Sequence, residues 1–284
     1  MTGDPGSAAR APGFLDRVLA AWGVTEPPSP SIEYLDRLHE AYLENVPFEN
    51  VTKLLKAARV NGPEAALRQP VEFWKDHLRH RSGGTCFAAT YAYRFLLRYL
   101  GFPSRLLFCH LPAEEPQAHS ALWVELGGRD LLIDVGYALP APVALSRRAA
   151  VRRRTPYYDV ETRPGTRDEF LVFSEDDRGS RFRYRFRLEP VEEDRYLAAW
   201  RETFRPDAPY MKRLALGRYR DGTRYLFKDL TRVFTITRAG ESELALGPDP
   251  APELAALFAL PPALVRAALA ALEKRVPARG LGTR

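Results

Sequence analysis

Apolar positions in the first hundred residues recur at spacings of three and four, and beyond residue 101 they recur at two. Phe14, Leu15, Val18, Leu19 and Trp22 fall on one helical face, and Gly23 stands where that helix can end. Ile32, Leu35, Leu38 and Tyr42 mark a second helix, with Ser29 or Ser31 as its N-cap. Pro47 ends it by pushing Val46 out of the helical region. His39, beside Glu40, is assigned to the outer surface of this helix. "PVEFWKDHLRH" (70–80) reads as a weaker helix, and a strong one runs from about 85 to Gly101, a natural C-cap.

The period-two part contains "SRLLFCHL", "SALWVEL", "DLLIDVG", "EFLVFSE" and "RFRYRFRL", strands separated by Gly, Pro, Asp and Glu clusters. They predict an antiparallel sheet or small barrel over 102–190. From 191 the chain mixes short helices with two or three strands turning at Asp221-Gly222 and Ala239-Gly240. The expected fold is α+β in three parts: a helical bundle (1–101), a β-barrel (102–190) and an α/β unit (191–284).

The net charge of +6 suits an anionic ligand, while dispersed arginines offset by 36 acids argue against nucleic acid. Two cysteines make no disulfide framework, which points to a reducing, cytoplasmic setting. The N-terminal "MTGDPGSAARAPG" carries Asp4 and no apolar run, unlike a signal peptide. The most apolar stretch, 254–272, is interrupted by Pro261-Pro262 and Arg266, unlike a membrane span. "SRRAAVRRR" (146–154) reads as a solvated basic loop. Its alternative use, through Arg147, Arg148, Arg152, Arg153 and Arg154, is to grip a phosphate-bearing ligand.

Cys86 follows Gly83-Gly84-Thr85 and opens a helix. A thiol there meets the positive end of the helix dipole and unpaired N–H groups, both of which favour thiolate. The glycines let the backbone approach a substrate closely. The alternative is a buried inert cysteine. A nucleophilic thiol needs a base, and the base an orienting group. If Gly127-Gly128 is a two-residue hairpin turn, Leu126 faces Arg129 and Ala121 faces Asp134, so His119 and Asp134 share one face as diagonal neighbours. Leu122, Val124, Leu126, Leu131, Ile133 and Val135 fill the other, which is taken as the barrel core, with His119, Trp123, Glu125 and Asp134 turned away from it. A zinc set from His77, His80, Cys86 and Cys109 or His110 is disfavoured, because no Cys-x-x-Cys occurs and the last two point oppositely; no metal is expected. The chain also lacks a Walker loop, a dinucleotide glycine fingerprint and HExxH.

"NVPFENV", "GGTCF" opening a helix that ends in "LGF", "HSALWVEL" and "LLIDVGY" together resemble the arylamine N-acetyltransferases, in order and approximate interval. The likeness is good through residue 140 and only topological after it. It implies a papain-like arrangement in which the helical bundle bears Cys86, the barrel bears His119 and Asp134, and the α/β part forms a lid. It further implies ping-pong transfer of an acetyl or other acyl group from acetyl-CoA, a co-substrate and not a resident cofactor, to an arylamine or hydrazine. Phe48 and Tyr137 correspond to aromatics lining the acceptor pocket. The chain departs from the family pattern at Ser82, where Arg is usual, at Ala88, where an acid is usual, at Tyr137, usually Phe, and at Ala138, usually Gly. Competing readings are an amide synthase acting on a carrier-bound acyl chain, a papain- or transglutaminase-like thiol hydrolase, and a binding protein that kept the scaffold.

Overall fold

The computed structural model describes residues 13–25, 29–112, 119–137, 139–227 and 232–275. The N-terminal stretch discussed above, from residue 1 to 12, and Ala138 lie outside them. Helices α1 (Phe14–Ala21) and α2 (Ile32–Asn45) form where the three-and-four spacing puts them. Ser31 is the cap of α2, its hydroxyl accepting from the Tyr34 amide at 3.1 Å. A two-residue strand β1 (Phe48–Glu49) and helices α3 (Val51–Arg59) and α4 (Pro63–Ala66) follow, none of them assigned from the sequence above. Helices α5 (Pro70–His80) and α6 (Cys86–Tyr99) complete the helical part.

The barrel part comprises β2 (Ser104–His110), β3 (His119–Leu126), β4 (Arg129–Ile133), β5 (Val143–Ala144), β6 (Val151–Arg153), β7 (Asp159–Pro164), β8 (Glu169–Asp176) and β9 (Gly179–Arg187). They pair antiparallel in the order β5-β4-β3-β2-β9-β8-β7-β6. Thr162 Oγ1 on β7 donates to Ala144 O on β5 at 3.0 Å, so the two ends of the sheet approach and it nearly closes on itself. After it come α7 (Glu193–Glu202), α8 (Pro209–Lys212), β10 (Leu216–Arg220), β11 (Thr223–Phe227), β12 (Arg232–Thr237), β13 (Gly240–Ala245), α9 (Ala251–Phe258) and α10 (Pro262–Arg275). The second sheet runs β1-β10-β11-β12-β13. Its β10–β11 turn is Asp221-Gly222, both with positive φ, as a tight hairpin requires. The fold is α+β, as the change of period predicts.

Two expectations need correction. His39 is not on the surface: it is fully buried and its Nε2–H donates to Leu139 O at 2.6 Å, tying α2 to the chain after β4. Burial pushes its pKa down to about 4, so the ring is neutral. The end of the basic run is strand β6 rather than loop. Its arginines are tied to the scaffold, Arg147 to Asp168, Arg152 to Asp159 and Glu175, and Arg153 to both carboxylate oxygens of Asp36. Packing also connects segments on either side of residue 101. Phe48 and Glu49 are an edge of the C-terminal sheet, and Val51, Leu54 and Leu55 of α3 share a buried cluster with Leu254, Phe258 and Val265. Tyr196 and Trp200 of α7, conversely, join the cluster of the helices and the large sheet.

Leu54→Ala should therefore act far from its place in the chain. Removing this fully buried side chain is expected to cost about 2–5 kcal/mol. Hydrogen exchange should show lost protection in α9 and α10 before α1 and α2; the reverse order would contradict the shared cluster.

Candidate active site

Cys86 is the first residue of α6, preceded by Thr85 in extended conformation, and it is 6% exposed. The two glycines before it do not face a substrate, as expected above, but another stretch of the protein. A Cβ on Gly83 would fall 1.8 Å from Pro47 O. Gly84 O accepts from the Glu49 amide at 3.2 Å. The "NVPFENV" and "GGTCF" segments are thus docked backbone to backbone. Arg68 locks the junction, donating to Gly83 O at 2.7 Å and to Thr52 Oγ1 at 2.5 Å, with Glu49 Oε1 at 3.6 Å. From the other side, His77 Nδ1–H donates to Ser82 O at 3.0 Å while its Nε2 accepts from Trp22 Nε1 at 3.1 Å. Burial lowers the His77 pKa to about 4, in keeping with this neutral tautomer. His77 therefore supports the cysteine turn, and among the described residues no three His, Cys, Asp or Glu side chains converge as metal ligands.

The β3–β4 hairpin turns at Gly127 and Gly128, both with positive φ, in the register expected from the sequence. It brings His119 and Asp134 together: the His119 Nε2–H donates to Asp134 Oδ2 at 2.8 Å. Asp134 Oδ1 accepts from the amides of Gly136 at 2.9 Å and Tyr137 at 2.8 Å. Burial opposes the negative charge on Asp134, yet the His119 charge and these hydrogen bonds hold its pKa below the ordinary value. Burial likewise opposes charge on His119, but Asp134 and a hydrogen bond with Cys86 push its pKa up to about 10. The structure thus places a buried imidazole, biased toward its protonated form by Asp134, between a carboxylate and the thiol. Beyond Asp134, a Cβ at Gly136 would stand 2.6 Å from Cys86 Cα and Cβ. A side chain there can enter only if the Cys86 backbone moves aside.

The facing of the hairpin differs from expectation. Ser120, on the side of Leu122 and Val124, bonds Tyr196, which in turn donates to Phe87 O on α6. That apolar side lies under α6. His119 and Asp134 lie on the inner side of the barrel with Cys109, Tyr184 and Phe186, all buried. The Tyr184 ring packs 5.3 Å from that of His119. Toward the turn the same side opens to solvent at Glu125. Alternation identifies the two faces but not what covers each, and Tyr184 is one of several aromatics in "RFRYRFRL" with nothing local to single it out.

Phe48, Gly136 and Tyr137 line one cavity of about 490 Å3, and the Tyr137 ring lies 5.7 Å from His119. On the other side of the cysteine turn, Ala88 borders a small gap shared with Lys53 and Arg68. Lys53 donates to Thr203 O and Oγ1 at 2.7 Å, and burial lowers its pKa to about 7. Sequence reading misses Lys53 because it assigns no helix to 51–59.

Two outcomes are expected. The His119 ring should stay protonated through neutral pH, its proton NMR signals moving only as pH nears 10. Since the folded pKa lies above the ordinary 6.5, the pair stabilises the fold fully below about 6.5 and loses that contribution as pH rises through about 10. A ring that titrates near 6.5 would refute the buried pair. Gly136→Ala should fold but displace the Cys86 backbone, and a shift of about 1 Å is enough to slow thiol alkylation or acylation about 100-fold.

Comparison with known proteins matches this geometry to a family. A family model described as N-acetyltransferase matches residues 31–246. An arylamine N-acetyltransferase / N-hydroxyarylamine O-acetyltransferase from Salmonella typhimurium is 30% identical over 136 residues, 45% of this chain and 45% of that protein. The aligned segment thus spans under half of that curated relative. The solved arylamine N-acetyltransferase from Nocardia farcinica superposes with a TM-score of 0.78 at 22% identity, over 96% of this chain and all of that one. The one from Salmonella typhimurium gives 0.76 at 22% identity, over 92% and 99%. Identities this low speak for the shared fold, while the family model covers most of the chain: the protein belongs to the arylamine N-acetyltransferase family.

Proposed function

We propose that the protein transfers an acyl group from an acyl-CoA to an arylamine or hydrazine through a thioester on Cys86. The observation that carries this reading is the buried His119–Asp134 pair at 2.8 Å with the helix-opening thiol hydrogen-bonded to the same ring. Asp134 occupies Nε2, so the proton exchanged with sulfur is carried at Nδ1. The Cys86 sulfur attacks the thioester carbonyl, the bond from that carbon to the CoA sulfur breaks, and His119 gives its proton to the departing thiolate. The positive N-terminal end of α6 stabilises the developing oxyanion. In the second half, the amine nitrogen attacks the Cys86 thioester and His119 takes the amine proton. The carbon–sulfur bond breaks, restoring the thiolate–imidazolium pair. Asp134 keeps the ring in the required tautomer throughout. Phe48 and Tyr137 give the acceptor ring an apolar seat.

Acetyl-CoA without amine should release CoA once per active site and add one acetyl group, mapped by peptide mass to Cys86. Cys109 is fully buried on a strand, and burial pushes its pKa well above the usual thiol value. Acetyl found on Cys109 would reject the assignment, and steady CoA release without an amine would make the protein a hydrolase. Asp134→Asn is expected to lower the acylation rate steeply, on the scale of ~10⁴ seen when a triad aspartate is amidated.

A further inference from the structure

Behind the cysteine turn lies a gap of about 10 Å3, lined by Thr52, Lys53, Arg68, Thr85, Ala88 and Phe204 among others. It has room for no more than one water. Two cations are buried at its wall. Arg68 is matched, with Glu49 at 3.6 Å and Asp76 at 3.2 Å from its guanidinium. Lys53, the third residue of α3 and 5% exposed, is not. Its Nζ donates to Thr203 O and Oγ1, the Phe204 ring centre lies 4.4 Å away, and among the described residues no carboxylate pairs with it. Other charges on the elements around it are engaged elsewhere: Lys56 with Glu72, Arg201 of α7 with Glu64, and Glu202 with solvent. A tie between α3 and α7 accounts for the two bonds to Thr203, but a neutral donor would serve it. An ammonium in apolar surroundings is costly unless a negative charge meets it.

The negative charge within reach is the Cys86 sulfur. Thr85 and Ala88, which border the gap, are its neighbours in the first turn of α6. Burial lowers the Lys53 pKa to about 7, and negative charge on Cys86 acts in the opposite sense, favouring the protonated amine. Position 88 fits the same picture. An acid is usual there in the family, and one on this turn would cancel the ammonium. Ala88 leaves the charge free to act on the thiol.

We propose that Lys53 is a positioning residue for the reaction, its ammonium holding Cys86 as the thiolate from behind the first turn of α6. The proposal deepens the acyl-transfer reading and rests on it for what the thiolate then attacks. Lys53 touches no substrate, because the gap admits nothing larger than water. It acts through the sulfur, adding to the helix dipole on one side what the His119 ring supplies on the other. Its charge is also conditional. Once Lys53 gives up its proton, the sulfur becomes a more basic and hence more nucleophilic thiolate.

The test is the rate at which iodoacetamide alkylates Cys86 as a function of pH, read by peptide mass. The wild-type protein should show the rise that marks thiolate formation and, near the Lys53 pKa of about 7, a second upward step of about threefold. Lys53→Met keeps the length and removes the charge: the first rise should move up by about 1 pH unit, and the second step should vanish. Lys53→Arg carries a fixed charge, so the first rise should stay in place while the second step is lost. Thr203→Val breaks the Oγ1 contact, leaves the ammonium, and should retain both features. A first rise unmoved in Lys53→Met would overturn the proposal. So would a second step that persists in Lys53→Arg, or a Thr203→Val profile matching that of Lys53→Met, the mark of a merely structural tie. If Lys53→Met does not fold, the other two variants still decide. Alkylation needs no acyl donor, so the two readings fail separately. The expected profiles support the role of Lys53 even if Cys86 never takes up acetyl, and uptake of acetyl with an unmoved profile defeats that role alone.

Discussion

Around Cys86 the main chain is packed too closely for any side chain to intervene. Gly83 lies against the carbonyl of Pro47, and Gly136 lies against Cys86 itself. These contacts draw the end of α2, the turn before α6 and the end of the β3–β4 hairpin to a single point. The distance from thiol to imidazole is then a property of the backbone and not of flexible side chains, which is the condition for a reacting group to be held within a fraction of an ångström. Arg68, His77 and the two amides on Asp134 fix the same turns from behind.

Packing this tight excludes water, and burial raises the stakes for every charge inside. Two arrangements meet that demand internally. Asp134 and His119 satisfy each other and the carboxylate takes two further N–H donors. Glu49, also fully buried, has Arg68 and Thr52 around it. Losing one member of such a set leaves a charge stranded in apolar surroundings, which is far more damaging than never having had the pair.

Much of this was legible before any coordinates. The turn at Gly127-Gly128 determines the pairing of β3 with β4, so the shared side of His119 and Asp134 follows from period-two counting alone. The mouth-of-helix position of Cys86 follows from the glycines and the apolar spacing after it. What counting cannot supply is the identity of the covering layer. Both sides of β3 are buried near His119, one by α6 and one by the barrel interior, and a single strand carries no mark of which is which. His39 was misplaced for the same reason: a lone polar residue on a helix looks solvent-facing until Leu139 O arrives from a distant segment. Helix α3 went unassigned although Val51, Leu54 and Leu55 keep the three-and-four spacing, because so short a run follows directly on the Pro47 stop. Tyr184 becomes notable only through a neighbour remote in sequence.

The short pairing of Phe48 and Glu49 with Gly217 and Leu216 has a consequence for biogenesis. The polypeptide emerges from the ribosome N-terminus first, so α3 appears long before the residues from 204 onward that cover it. Val51, Leu54 and Leu55 wait uncovered while some 150 residues are still being made, at a pace of roughly 5–20 residues per second. For that interval of several seconds or more the nascent chain presents an apolar helix face and an unpaired strand edge, the features that recruit chaperones and seed aggregation. Emergence of α9 and α10, not completion of the segments around Cys86, is the moment at which this apolar face is first covered.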